Sequence, residues 1–105
     1  MMDPKKAGQP AIQAGASDLT QLLQLPEIPE AQDRDSLAAA IAPAIRRLLN
    51  GQMEQLLRLC YRLDLGEETL QRILSESPPE QMAMDLSLAI VDRQLIKVYF
   101  RNKYR

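Results

Sequence analysis

The stretch from Pro79 to Lys103, PEQMAMDLSLAIVDRQLIKVYFRNK, decides the fold. Met84, Leu88, Val91, Leu95 and Val98 follow one another at alternating steps of four and three, a heptad-like seam. Met82, Leu86 and Ile90 draw a second apolar line beside it. A helix apolar on two faces is either central to its bundle or shared with another chain. Pro79 suits a first helical position, where no N–H is needed, and Glu80 adds negative charge to the positive end of the helix. At 1.5 Å per residue the helix is about 36 Å long, whereas a compact domain of ~70 residues is roughly 28 Å across. It is therefore expected to overhang its bundle by about two turns. The overhang carries Tyr99, Phe100 and Tyr104, three of the chain's four aromatics. Dimerisation, a partner, or fold-back of the Leu19–Leu25 region would cover that end.

Working back from this helix, Ser77-Pro78-Pro79 stops a short one running from about Glu67 to Glu76, with Leu70, Ile73 and Leu74 apolar. Asp64-Leu65-Gly66 separates it from a helix over about Gln52 to Leu63. Met53, Leu56, Leu57, Cys60 and Leu63 are the expected core stripe there, widened by Leu59. The helix before that starts at Asp35 or Ser36, shows Leu37, Ile41, Ala44, Ile45 and Leu48 on one face, and stops at Asn50-Gly51. Pro43 interrupts it, predicting either a kink or a second start at Pro43. No segment alternates with period two for long; Lys97 to Phe100 is the one weak strand candidate. The expectation is an all-α domain over 35–105, a small bundle of about four helices with a long C-terminal helix.

Residues 1–34 read differently. Pro4, Pro10, Pro26 and Pro29, with Gly8 and Gly15, fall in a small, polar stretch, which predicts a flexible Pro-rich arm. Ser17 or Asp18 can cap a short helix near 18–25 carrying Leu19, Leu22, Leu23 and Leu25. That island reads either as a linker with a transient helix or as an arm docking its leucines on the domain or a partner.

The chain's 13 basic and 14 acidic residues are segregated. Arg46 to Arg62 holds four Arg and one Glu, a net +3; Asp64 to Asp92 holds seven acids and one Arg, a net −6; Arg93 to Arg105 holds five bases and no acid. Arg93, Lys97, Arg101 and Arg105 stand four apart and line one helix face. Three readings compete for that face: a solvated face favoured by the helix dipole, complementarity to the acidic block within or between chains, and phosphate contact with the aromatics stacking on bases. A sequence pI near 5.4 weighs against the last.

The composition excludes more than it identifies. With no His and one Cys, the chain cannot build a structural zinc site or an internal disulfide, and it lacks the commonest general acid/base. Phosphate-binding glycine loops, serine elbows and paired-cysteine motifs are missing as well. No catalytic, cofactor or metal residue is expected. Cys60 is read as a small core hydrophobe, and Asp64, Glu67 and Glu68 as helix-capping charges. Tyr61 and Asp64 are expected to fix the junction between their helices, the ring buried and its hydroxyl paired. No apolar run reaches the ~20 residues of a membrane span, and nothing marks a secretory signal, so a cytoplasmic location is expected.

Leu57-Arg58-Leu59-Cys60-Tyr61-Arg62-Leu63-Asp64, the acidic helix start after it, and the late Asp92-Arg93-Gln94-Leu95-Ile96-Lys97 pattern resemble small helical bacterial proteins of uncharacterised function. The resemblance covers about residues 36–101. It implies a helical bundle from a bacterial cytoplasm and no activity, ligand or catalytic residue. The functional expectation is a non-catalytic protein–protein interaction module. Its candidate partner surface is Arg93, Lys97, Tyr99, Phe100, Arg101, Lys103, Tyr104 and Arg105, and its self-association seam is Met84, Leu88, Val91 and Leu95. The alternative is an accessory nucleic-acid binder using the basic last helix.

Overall fold

The computed structural model describes residues 2–104 and contains five α-helices and no strand among them. These are α1 (Gln9–Leu23), α2 (Arg34–Leu49), α3 (Met53–Arg62), α4 (Glu67–Glu76) and α5 (Pro79–Lys103), preceded by a single 3-10 turn at Pro4–Lys6. The all-helical class and the long last helix agree with the sequence pattern. The extra helix is α1, which replaces much of the expected flexible arm. It is fifteen residues long rather than a short turn near 18–25, and it buries Ile12, Gly15, Ala16 and Leu19. Those four lie at three- and four-residue steps, so α1 has a narrow apolar stripe made partly of very small residues. Gly15 permits the close approach: a Cβ there would stand 3.2 Å from Leu95 Cδ2.

Local chemistry sets the helix limits. Asp33, two residues earlier than predicted, caps α2: its carboxylate accepts from Ser36 N at 2.8 Å while Ser36 Oγ accepts from Asp33 N at 3.1 Å. That reciprocal pair holds the Asp33 carboxyl below its ordinary value, the Ser36 backbone N–H being the main cause. Pro43 neither ends nor splits α2; both it and Ala39, whose carbonyl loses a donor, are exposed, so that carbonyl is open to solvent. After α3, Asp64 takes a left-handed φ of 56° while Leu65 N bonds Cys60 O and Asp64 N bonds Tyr61 O, at 3.0 and 3.1 Å. That double closure satisfies the last carbonyls and turns buried Leu65 back under the helix.

Gln9 at the start of α1 donates to Ala31 O at 3.2 Å, just before α2, whereas Leu22 and Leu23 share a cleft with Ala44 and Leu48 near the end of α2. The two helices therefore run the same way, and residues 24–33 travel back along α1 to join them. Pro26 and Pro29 keep that return extended. α5 runs opposite to both: Gln94 donates to Asp18 at 2.8 Å, and Val98 and Tyr99 line a groove with Gly8 and Ala11. The core sits between α1, α2 and α5, where Ile12, Leu19, Leu37, Ile41, Ile90 and Leu95 are fully buried. Each such side chain is worth roughly 1.5–3 kcal/mol of burial. α3 lies on α2 and α4 on α5, so both short helices are peripheral. The far end of α5 is covered by Met2, Ala7 and Ala11 rather than by the Leu19–Leu25 region. Among the described residues no helix is long and apolar enough to cross a membrane.

Candidate interaction surface

Most of the basic face of α5 is turned to closing the bundle. Arg93 Nε donates to Leu63 O at 3.0 Å, capping the end of α3. Lys97 lies 3.9 Å from Asp64, and Arg101 lies 3.1 Å from Asp18 on α1. On another side of α5, Asp92 takes both Nε and Nη2 of Arg34, the latter at 2.9 Å. That fork raises the Arg34 pKa above its ordinary value, the Asp92 hydrogen bond being the main cause. Of the predicted partner surface, Arg93, Lys97 and Arg101 thus have partners within the chain. Lys103 stands 5.7 Å from the ring centres of Tyr99 and Tyr104. Phe100 stacks on Tyr104 with centroids 5.9 Å apart, and Tyr99 meets Phe100 edge-on at 5.2 Å. Phe100 and Tyr104 keep an exposed face beside exposed Arg101 and Lys103, so this end is both aromatic and basic. Arg105 lies outside the described residues.

Two other predicted sets are corrected. In the seam, Val91 and Leu95 are fully buried within the chain, and Met84 and Leu88 pack against the same core. Half of the heptad-like seam therefore lies inside the chain's own core, and only Met84 and Leu88 keep partial exposure. At the junction, Tyr61 is 85% exposed and packs no buried ring. The α3–α4 angle is set instead by the left-handed turn at Asp64, Gly66 at φ 91°, and the Arg93 cap.

What the structure does bring to the surface is a stripe on α3. Met53, Leu57 and Tyr61, each four residues from the next, are 39%, 43% and 85% exposed. The sequence placed Met53 and Leu57 in the core with Leu56, Cys60 and Leu63. Only Leu56, Leu59, Cys60 and Leu63 are buried, because a ten-residue helix lying on one neighbour covers a single face. The signal was present: five apolar side chains from Met53 to Cys60, with Tyr61 added, exceed what one face can hide. Beside the stripe runs a groove of about 400 Å³ between α3 and α4, walled by Leu57, Tyr61, Leu65 and Leu70 with Asp64 and Glu67 at its edge. Cys60 lines its floor, and burial pushes the thiol up to about 11, so it stays protonated and weakly nucleophilic at neutral pH. Among the described residues no cluster of His, Cys, Asp or Glu is placed to hold a metal ion.

Comparison with protein-family models, with curated proteins and with solved structures finds no match for this chain.

Proposed function

We propose that the chain is a non-catalytic protein-interaction module whose recognition element is α3 together with the α3–α4 groove. The observation that carries the reading is the Met53–Leu57–Tyr61 stripe, three large apolar side chains aligned and exposed along the flank of the helix's buried face. Such a stripe beside an apolar groove suits the apolar face of an amphipathic helix from a partner, and Glu67, which has no ion-pair partner among the described residues, favours basic residues along that partner's edge. A large aromatic such as Tyr61, where the stripe meets the groove, is the kind of side chain that dominates binding energy. Catalysis is disfavoured by the lack of any His and by a single thiol held neutral. Nucleic-acid binding by α5 is disfavoured because Arg93, Lys97 and Arg101 already have partners within the chain.

The test is in-cell photo-crosslinking from benzoylphenylalanine placed at position 61, against the same probe at exposed Glu68. Discrete adducts from position 61 that disappear when Leu57→Asp is added support the module. Equal labelling from the two positions, or adducts indifferent to Leu57→Asp, would refute it.

A further inference from the structure

We propose that two copies of the chain pair through a two-fold contact in which the Glu27-Ile28-Pro29-Glu30 segment of each enters an arginine-rimmed cleft of the other. The cleft, of about 570 Å³, opens where α1 and α2 end and α3 passes. Leu22, Leu48 and Leu59 form its apolar part, and Arg47, Arg58 and Arg62 its rim. Among the described residues Arg47 and Arg62 have no ion-pair partner, and Arg58 has only the exposed Glu54 at 3.6 Å. An open cleft with a leucine patch and a predominantly polar surround, Gln24, Gln52 and Gln55 as well as the three arginines, fits a ligand that is apolar at its centre and anionic on both sides.

The return loop between α1 and α2 has that make-up. Ile28 is 56% exposed, the most exposed aliphatic side chain among the described residues, and it stands between Glu27 and Glu30, neither of which has an ion-pair partner there. Pro26 and Pro29 hold the segment extended, so docking it orders little additional chain. Within its own chain the segment does not occupy the cleft: it lies beside Gln9, Gln13 and Ala16, its far end tied to the start of α1 by the Gln9–Ala31 hydrogen bond. A second copy can supply it.

The placement of the two features satisfies a two-fold axis. Both lie on the side formed by α1 and α2, the segment beside Gln9, Gln13 and Ser36 at the helix starts and the cleft at the helix ends. Two copies laid antiparallel across this side bring each segment over the other's cleft, closing the assembly as a dimer rather than a chain of copies. Between the features α2 exposes only the small residues Ala39, Ala40 and Pro43, so the two surfaces can approach closely. The inference is independent of the α3 stripe, which lies on the opposite flank of α3 from Arg58 and Arg62.

The test is sedimentation velocity on the full chain, with melting curves to show that each variant is folded. The wild type is expected to dimerise, more weakly at high salt. R47E/R62E and E27R/E30R each place like charges in both contacts and should raise the dimer dissociation constant about tenfold or more. An equimolar mixture of those two variants restores opposite charges at both contacts and should dimerise again. Ile28→Ser, which changes no charge, should also weaken the dimer. A wild type that stays monomeric up to about 0.5 mM, single-sided variants that pair like wild type, or a mixture that stays monomeric would each overturn the proposal.

Discussion

Replacing Ile12 by Ala asks whether α1 is part of the folded core or an arm lying on it. Ile12 is fully buried, at the place where α1 meets the rest of the core cluster. The substitution removes three carbons, and at about 0.8 kcal/mol per buried methylene the transfer loss alone is roughly 2.4 kcal/mol. The remaining void adds about 24 cal/mol per Å³; if half of the vacated space stays open, that is about 1 kcal/mol more. A loss of about 3–4 kcal/mol follows, a large part of the 5–15 kcal/mol that holds a small domain together. The assay is urea unfolding followed by circular dichroism, with Ile28→Ala as the matched control. Ile28 is more than half exposed, and its truncation in the monomer should cost about 0.5 kcal/mol or less. The Ile12 variant should lower the midpoint without changing the slope of the transition. An Ile12→Ala protein as stable as the Ile28→Ala control would show that α1 contributes nothing to the cooperative unit, and the packing argument would be wrong.

Two further outcomes follow from local geometry. Asp64→Gly removes a side chain from a left-handed position at the loss of one exposed 3.9 Å ion pair with Lys97, whereas Asp64→Val puts a branched carbon there; the melting temperatures of the two should differ by the equivalent of about 2 kcal/mol in favour of Gly, and equal values would remove strain at Asp64 from the account. Cys60, with its pKa raised by burial to about 11, binds its proton more tightly folded than unfolded, so its contribution to stability is complete at neutral pH and declines as pH rises through the ordinary thiol range toward 11. Native protein should react with a thiol reagent at pH 8 only as fast as it unfolds, and rapid labelling without unfolding would mean that the groove admits reagent to the sulfur.

The parts of the fold that were legible in the residues are those governed by local rules. Pro79 at a helix start, the Asp64-Leu65-Gly66 turn and the apolar stripes of α2 and α5 each carry their own stereochemical reason, and the structure places helices there. α1 was not legible because half of its stripe is Gly15 and Ala16, and small residues signal burial only once a neighbour is known to approach closely. Gly15 is the instance: it looks like a flexible tail residue until Leu95 stands against it. The surface was harder still. Val91 and Leu95 were correctly apolar, but spacing does not say whether the covering partner is the same chain or another. The same ambiguity applied to Arg93, Lys97 and Arg101: only Lys97 meets the acidic block, at Asp64, whereas Arg93 bonds the Leu63 carbonyl and Arg101 pairs with Asp18 on α1. Met53 and Leu57 show the reverse error, in which an apolar residue on a helix was assigned to a core too small to hold it.

The pairing of α1 with α5 also bears on how the chain is made. Asp18 waits for Gln94 and Arg101, and Ile12 and Leu19 join a core that includes Leu95. At roughly 5–20 residues per second a ribosome needs several seconds to synthesise the stretch between them. During that interval the stripe of α1 is without the helix that covers it, so the nascent chain passes through a stage in which its first helix must be kept from wrong contacts. Folding of this bundle is therefore tied to completion of α5: a ribosome stalled anywhere within that helix should leave Ile12 and Leu19 available to chaperones, and release of the last helix should withdraw them.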